Sequence, residues 1–323
     1  MDEHRIIIDT DPGVDDAMAI FYALSAARIR VEALTTVYGN VDADLATTNA
    51  LRLLEVAGRP EIPVARGAVR PLTSPYKGAV DFVHGTDGQG EAGLDPPKTA
   101  RLAERATELI ISRLRSNPGR LTLVALGPLT NLALALLEAP DIAGLARQVV
   151  IMGGNLTVPG NASVAAEANI LNDPEAAEIV LTAGWPVVMV GLDVTQRIVM
   201  TPEDLERIYR IPRPEARHLA RIVPYYHRFY AEEVGCNGIY VHDSSTISYL
   251  LHPEAFSLEE RGVVVDTGAG IGRGRTWPIP VGDEAAGDPR LRGRPPIRYA
   301  LEADARRLIE AEIAALERQP DGT

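Results

Sequence analysis

Cysteine is nearly absent: the only one in 323 residues is Cys236. An internal disulfide framework is therefore excluded, and the usage suits a reducing cytoplasm. A lone cysteine is more often a packed residue than a nucleophile. Also missing is any apolar stretch long enough to span a membrane, and the N-terminus runs straight into a strand-like segment with no signal-peptide pattern. A cytoplasmic protein is expected. Positive charge is in deficit, with 32 Lys and Arg against 44 Asp and Glu, a net charge of −12 and a pI near 5.1. That balance argues against nucleic acid or an anionic membrane surface as partner, and it is compatible with a cation or a neutral small molecule. Aromatic residues are only 5% of the chain.

What is present is an ordinary globular composition, 46% hydrophobic and 24% charged, on a chain long enough to bury a large core. Strand-length apolar runs alternate with longer amphipathic ones. Strands are expected at residues 5–10, 31–38, 121–126, 148–152 and 187–190. Helices are expected at 15–27, 43–57, 100–115, 128–138 and 174–183. Ile- and Val-rich strands that are apolar on both faces, separated by helices, predict an α/β fold: an open, mostly parallel central sheet flanked by helices. Beyond Asp193 the character changes. Residues 202–251 read as mainly helical with breaks at Pro212 and Pro214, and 269–296, dense in Gly, Pro and Arg, as an irregular surface segment. A last helix, 303–317, carries the alternating charge of a solvated face. No repeat or linker divides the chain, so residues 1–323 are expected to form a single domain.

In such sheets ligands sit outside the carboxyl ends of the strands. Polar and glycine residues recur at that end: Asp9 and Asp11, Gly39 and Asn40, Gly127, Gly153 to Asn155, and Asp193. The densest set is DTDPGVDD, in which Asp9, Asp11, Asp15 and Asp16 fall within eight residues. The Pro12-Gly13 turn lets Asp11, Asp15 and Asp16 converge, and a divalent cation would offset their repulsion. Helix capping explains one or two such aspartates, not four beside a buried strand. Two further clusters stand out. Asn161, Glu167 and Asn169 offer carboxamides and a carboxylate suited to sugar hydroxyls, or form an ordinary Asx-rich loop. His242 and Asp243 open an apolar helix and read as an acid beside a metal ligand, or as a simple N-cap. His84 lies in a glycine-rich loop and could face a ligand, whereas His4, His218, His227 and His252 read as surface or helix residues.

With these residues assembled, the sequence resembles the inosine–uridine-preferring nucleoside hydrolase family. The opening DTDPGVDDAMAI resembles its signature, and TTVYGN, VHG, ALGPLTNLALAL, VVIMGGN, PGNASVAAEANILNDPEAA and VHDSS follow in the family's order, covering residues 6 to about 266. The resemblance implies a Ca²⁺ held by Asp11, Asp15, Asp16, Asp243 and the main-chain carbonyl of Leu126. It implies that Asn40, Asn161, Glu167, Asn169 and Asp15 hold ribose hydroxyls with Met152 nearby, and that the substrate is a small ribonucleoside. It also suggests a homo-oligomer, a tetramer or dimer. Breaking an N-ribosidic bond builds oxocarbenium-like charge on the sugar. Asp11 is then the general base towards water, with His242 the acid for the leaving base and His84 a helper. Ala168 departs from the commoner pattern, a bulky aromatic between the Glu and Asn. Neither Trp185 nor Trp277 lies in a matched motif, which disfavours the purine-specific branch and leaves base contacts to the segment with Tyr226 and Tyr230. Two rivals remain: a haloacid-dehalogenase-type Mg²⁺ phosphatase using Asp9-Thr10-Asp11, and a non-catalytic nucleoside- or sugar-binding protein.

Overall fold

The computed structural model describes residues 3–279, 291 and 293–318. Among the described residues the strands are β1 (His4–Thr10), β2 (Ile29–Thr36), β3 (Val64–Arg66), β4 (Leu121–Ala125), β5 (Gln148–Met152), β6 (Val187–Val190), β7 (Val199–Met200), β8 (Ile239–Tyr240), β9 (Phe256–Val265), β10 (Thr276–Ile279) and β11 (Ile297–Ala303). The helices before β7 are α1 (Val14–Ser25), α2 (Ala43–Val56), α3 (Asp81–His84), α4 (Ala106–Ser116), α5 (Thr130–Glu138), α6 (Ala168–Asn172), α7 (Pro174–Thr182) and α8 (Leu192–Thr195). After it come α9 (Pro202–Tyr209), α10 (Pro214–Phe229), α11 (Ser244–Leu251) and α12 (Ala305–Glu317).

Nine strands form one sheet in the order β10-β9-β11-β6-β5-β4-β1-β2-β3. The run from β3 to β11 is parallel throughout, and only β9 against β11 and β10 against β9 are antiparallel. The mostly parallel sheet expected from the apolar runs is the observed one. Successive side chains of a strand point to opposite faces. Ile6 and Ile8 accordingly join a core with α1, α10, α11 and α12, while Ile7 joins Leu123, Val149 and Val187 under α4, α5 and α7. Each fully buried Ile or Val contributes about 1.5–3 kcal/mol relative to exposure.

The topology fixes where a ligand goes. From β1 the chain moves outward through β2 to β3, then returns to lay β4 on the other side of β1. The loops after β1 and β4 therefore diverge, and such a switch point is where open α/β sheets bind.

Several expectations are corrected. The helix expected from residue 100 starts at Ala106, because Leu102 N donates to Val64 O (2.8 Å) and keeps the preceding segment extended beside β3. Within the segment read as irregular, Thr276–Ile279 is β10, paired with β9; residues 280–290 and 292 of that segment lie outside the described residues. The final helix begins at Ala305, and the start expected for it falls in the end of β11. The helical stretch after residue 202 also contains β8, which pairs with β7.

Candidate active site

Asp11 leaves β1 at the switch point and is buried. Its Oδ2 accepts from Asn40 N (2.6 Å), which ends the loop after β2. A Cβ at Gly39 or at Gly127 would collide with the Asp11 carboxylate. Those two glycines exist because two strand-end loops close directly on one side chain. Asp11 Oδ1 is buried and has no hydrogen-bond partner among the described residues.

Gly13 forms the N-cap of α1, and its amide donates to Asp16 Oδ2 (3.0 Å). The same oxygen accepts from Asn40 Nδ2 (3.0 Å), while Thr10 Oγ1 donates to Asp16 Oδ1. Asp16 thus does part of the capping work and still belongs to the cluster. Oxygens of Asp15, Asp16 and Asp243 all lie within 4.8 Å of one another. Asp243, from the other end of the sequence, precedes α11, yet its side chain makes no cap hydrogen bond, so the plain capping role is not the one it has.

Burial raises the pKa of all four carboxylates. Like charge adds to this: Asp16 and Asp15 act on Asp11, and Asp15, Asp16 and Asp11 act on Asp243. Hydrogen bonds answer only part of it, with Asp15 reaching about 6. Three clustered carboxylates, a fourth with a bare buried oxygen, and mutual repulsion fit a hard divalent cation. Leu126 O, the expected carbonyl ligand, accepts from Asn169 Nδ2 (2.6 Å), which leaves a second lone pair available.

At the cluster lies a cavity of about 730 Å³, lined in part by Asp15, Asn40, Leu126, Met152 and Asp243. Asp11 and Asp16 are buried beneath that lining. The lining also carries His84, Tyr226, Tyr230 and His242. These are wired together: Tyr226 OH donates to Asp15 Oδ2 (3.1 Å) and meets Tyr230 OH (3.2 Å). Tyr230 OH meets His242 Nε2 (3.0 Å), and His242 Nδ1 meets Thr195 Oγ1 (2.8 Å). Burial lowers both His84 and His242 to about 4, so each imidazole is neutral near pH 7. His84 Nδ1 accepts from Val14 N (3.2 Å), which puts its proton on Nε2. Its ring stacks on Tyr226, with centroids 5.4 Å apart.

Asn161, Glu167 and Asn169 also line the cavity. Glu167 N-caps α6, taking Asn169 N (2.8 Å), Ile170 N (3.1 Å) and Gly154 N (2.9 Å). Asn161 Oδ1 accepts from Ala168 N (3.0 Å). Asn40 and Asn169, read as sugar-binding groups, thus already hold Asp11 and Asp16 on one side and Leu126 O on the other. Neither tryptophan reaches the cavity: Trp185 is in the core and Trp277 is on β10. Cys236 is half-buried, and burial raises its thiol pKa, which does not suit a nucleophile.

Sequence reading missed Gln89 and, although it allowed His218 a helical place, missed the partner His218 has there. Gln89 is buried; its Nε2 donates to Gly13 O (2.9 Å) and Gly88 O (3.1 Å), and its Oε1 meets His218 Nε2 (3.0 Å). His218 is itself buried in α10, so it braces the Pro12-Gly13 turn rather than facing solvent. No local signal marks this pair, because Gln89 is 76 residues from Gly13 and 129 from His218.

Asp9 faces away from the cluster. Its Oδ1 accepts from Thr35 Oγ1 (2.6 Å) and Asn131 Nδ2 (2.7 Å). A phosphatase nucleophile at Asp9 has no access to the cavity, which removes that rival.

The model of the inosine-uridine preferring nucleoside hydrolases matches residues 6–310. The chain is 44% identical to "Probable uridine nucleosidase 2" of Arabidopsis thaliana over 276 residues, 85% of each chain. It is 42% identical to "Pyrimidine-specific ribonucleoside hydrolase RihA" of Klebsiella pneumoniae over 272 residues, 84% of this chain and 87% of the relative. The solved structure of the plant nucleoside hydrolase PpNRh1 superposes with a TM-score of 0.94 at 38% identity, covering 98% of this chain and 99% of that one.

Proposed function

The chain belongs to the inosine-uridine preferring nucleoside hydrolase family and is a hydrolase of N-glycosyl compounds, and on that premise we propose that it is a Ca²⁺-dependent hydrolase of pyrimidine ribonucleosides, uridine foremost. The names of the uridine- and pyrimidine-directed relatives support the base preference. The observation that carries the mechanism is the bare, buried Asp11 Oδ1 beside three converging carboxylates.

Asp11, Asp15, Asp16, Asp243 and Leu126 O would hold the cation. When bound, Ca²⁺ neutralises the carboxylates and lowers the pKa of a coordinated water. Asp15, Asn161, Glu167 and Asn169 hold the ribose, with the diol end towards the carboxylates and Met152 beneath. Asp11 Oδ1 takes the proton of the water whose oxygen bonds to C1′ as the C1′–N bond breaks. The departing base gains a proton from the histidine and tyrosine side chains of the lining. His84 Nε2–H and the Tyr226–Tyr230–His242 chain are the donors available there, and Thr195 anchors the far end of that chain. Because His242 is neutral, it works as a member of the chain rather than as a preformed imidazolium.

We also read residues 1–323 as one domain, working in the cytoplasm in nucleoside salvage as a homo-oligomer, a tetramer or dimer. Incubation with a ribonucleoside panel and a phosphomonoester tests the activity. Free base and ribose are expected, with Asp11→Ala lowering kcat/KM by at least about 10³-fold while the circular-dichroism spectrum matches that of the parent. Binding of uridine without turnover would favour a non-catalytic binding protein instead.

A further inference from the structure

We propose that Gln89 and His218 are positioning residues for the cation. Through them α10 holds the Pro12-Gly13 turn in the shape that brings Asp11, Asp15 and Asp16 together, and the pair thereby sets the affinity for Ca²⁺. The inference rests on the cation reading above.

Converging carboxylates repel one another, so a turn that carries three of them opens unless its backbone is held from outside. Both carbonyls of this turn are held. Pro12 O accepts from Asn49 Nδ2 (3.1 Å), which comes from α2. Gly13 O accepts from Ala17 N (3.2 Å) within α1 and again from Gln89 Nε2 (2.9 Å). Gln89 Nε2 also lies 3.4 Å from Pro12 O. Because the amide nitrogen of Gln89 donates to these carbonyls, its Oε1 accepts, and His218 Nε2 at 3.0 Å is the N–H that donates to it. Gln89 and Asn49 are fully buried, so water does not compete for these bonds.

The loop that presents Gln89 is shaped around the contact. Asp87 Oδ1 accepts from Gln89 N (2.7 Å) and Glu91 N (3.0 Å). Gly88 and Gly90, on either side, have φ of +68° and +65°, in the left-handed region that favours glycine. A Cβ at Gly88 would stand 2.9 Å from Asn49 Nδ2, and one at Gly90 would stand 2.4 Å from Ile222 O of α10.

At its other end the pair is anchored on the helices. His218 packs edge-on against Phe21 of α1, with ring centroids 5.6 Å apart. Further along α10, Tyr226 OH donates to Asp15 Oδ2 (3.1 Å). α10 therefore reaches the ligand-bearing segment twice, directly on Asp15 and through Gln89 on the Gly13 carbonyl. An apolar pair at 89 and 218 would fill the same core volume. A buried amide paired at both its oxygen and its nitrogen fixes a position instead.

The test measures Ca²⁺ affinity by calorimetry on chelator-stripped protein. Gln89→Met and His218→Phe keep the packing volume and remove the hydrogen bonds. His218→Gln keeps an N–H at about the reach of the imidazole Nε2. Gln89→Met and His218→Phe are expected to weaken Ca²⁺ binding at least about ten-fold, and His218→Gln to stay within about three-fold of the parent. Parental affinity in either Gln89→Met or His218→Phe overturns the proposal and leaves the cation site standing. Equal losses in His218→Phe and His218→Gln overturn it as well, because the N–H is then not what acts. If one of the two apolar variants does not fold by circular dichroism, the other decides; if neither folds, the pair is structural and the proposal fails. Absence of Ca²⁺ binding by the parent overturns the cation reading and this proposal together.

Discussion

Asp9 and Asp11 stand two residues apart at the end of β1, both about 1% exposed, and their surroundings differ in kind. Asp9 sits among neutral groups, the Thr35 hydroxyl and the Asn131 amide, and burial pushes its carboxyl up to about 7. Asp11 sits among carboxylates, and Asp16 and Asp15 add to the effect of burial. A lone buried carboxyl can be neutralised by one proton at little structural expense. Four that converge cannot all be protonated without losing their use, and a dication answers them together. The two halves of one tight turn therefore separate a structural carboxyl from a functional cluster.

The sharpest way to break that contrast is to remove a member of the cluster that comes from elsewhere in the chain. Asp243→Ala is expected to weaken Ca²⁺ binding at least about 100-fold by calorimetry, since affinity follows the number of charged ligands. Chelation should lower the melting temperature of the parent protein by roughly several degrees and leave that of the variant nearly unmoved. A variant that retains one Ca²⁺ per chain with parental affinity would show the cluster to be wrongly drawn. The complementary substitution acts on the other side of the turn. Asp9→Leu leaves the Thr35 hydroxyl without its acceptor and should cost about 2 kcal/mol of stability in denaturant titration. Its Ca²⁺ affinity should stay close to the parent's, and a large loss of affinity would erase the distinction between the two aspartates.

How much of this was legible depended on the distance over which each signal acts. The parallel strands announced themselves as continuous Ile and Val runs, because both faces of β1, β4, β5 and β6 are covered. The antiparallel edge did not. β9 carries three consecutive exposed charged residues, Glu259 to Arg261, in its middle, and β10 carries Pro278 in a segment otherwise rich in Gly and Arg. The aspartate cluster was visible as composition, since DTDPGVDD lies within one turn of chain. The reason for Gly39 and Gly127 was not, because it is the Asp11 carboxylate lying against both. Asn40 was expected at a strand end and Asn169 in a polar loop, and the structure puts them in the loop after β2 and in α6. That their amides hold other ligands in place needed coordinates, as did the Gln89–His218 brace.

Glu312 extends the comparison to a third buried carboxyl, whose effect is read through its pH dependence rather than through the cation. It lies in α12, far in sequence from the turn, and accepts from Ser244 Oγ (2.9 Å). Its Oε2 has no hydrogen-bond partner among the described residues, and burial pushes its carboxyl up to about 8. The unfolded chain loses this proton near pH 4.3, about the ordinary Glu value. Between there and about 8 the folded state holds a proton that the unfolded state has released, so this group makes stability fall as pH rises through that window. Below the window its contribution is fully present, and above about 8 the decline ends. Asp9, raised to about 7, bends the curve in the same direction from a lower starting point. Glu312→Gln keeps an acceptor for Ser244 and removes the titration. Its advantage over the parent should therefore grow on the order of 1 kcal/mol per pH unit from pH 5 to 8, measured by denaturant titration at fixed Ca²⁺. Parallel parent and variant curves would mean that Glu312 is ionised in the folded protein, and that a buried carboxyl here need not be neutralised by a proton.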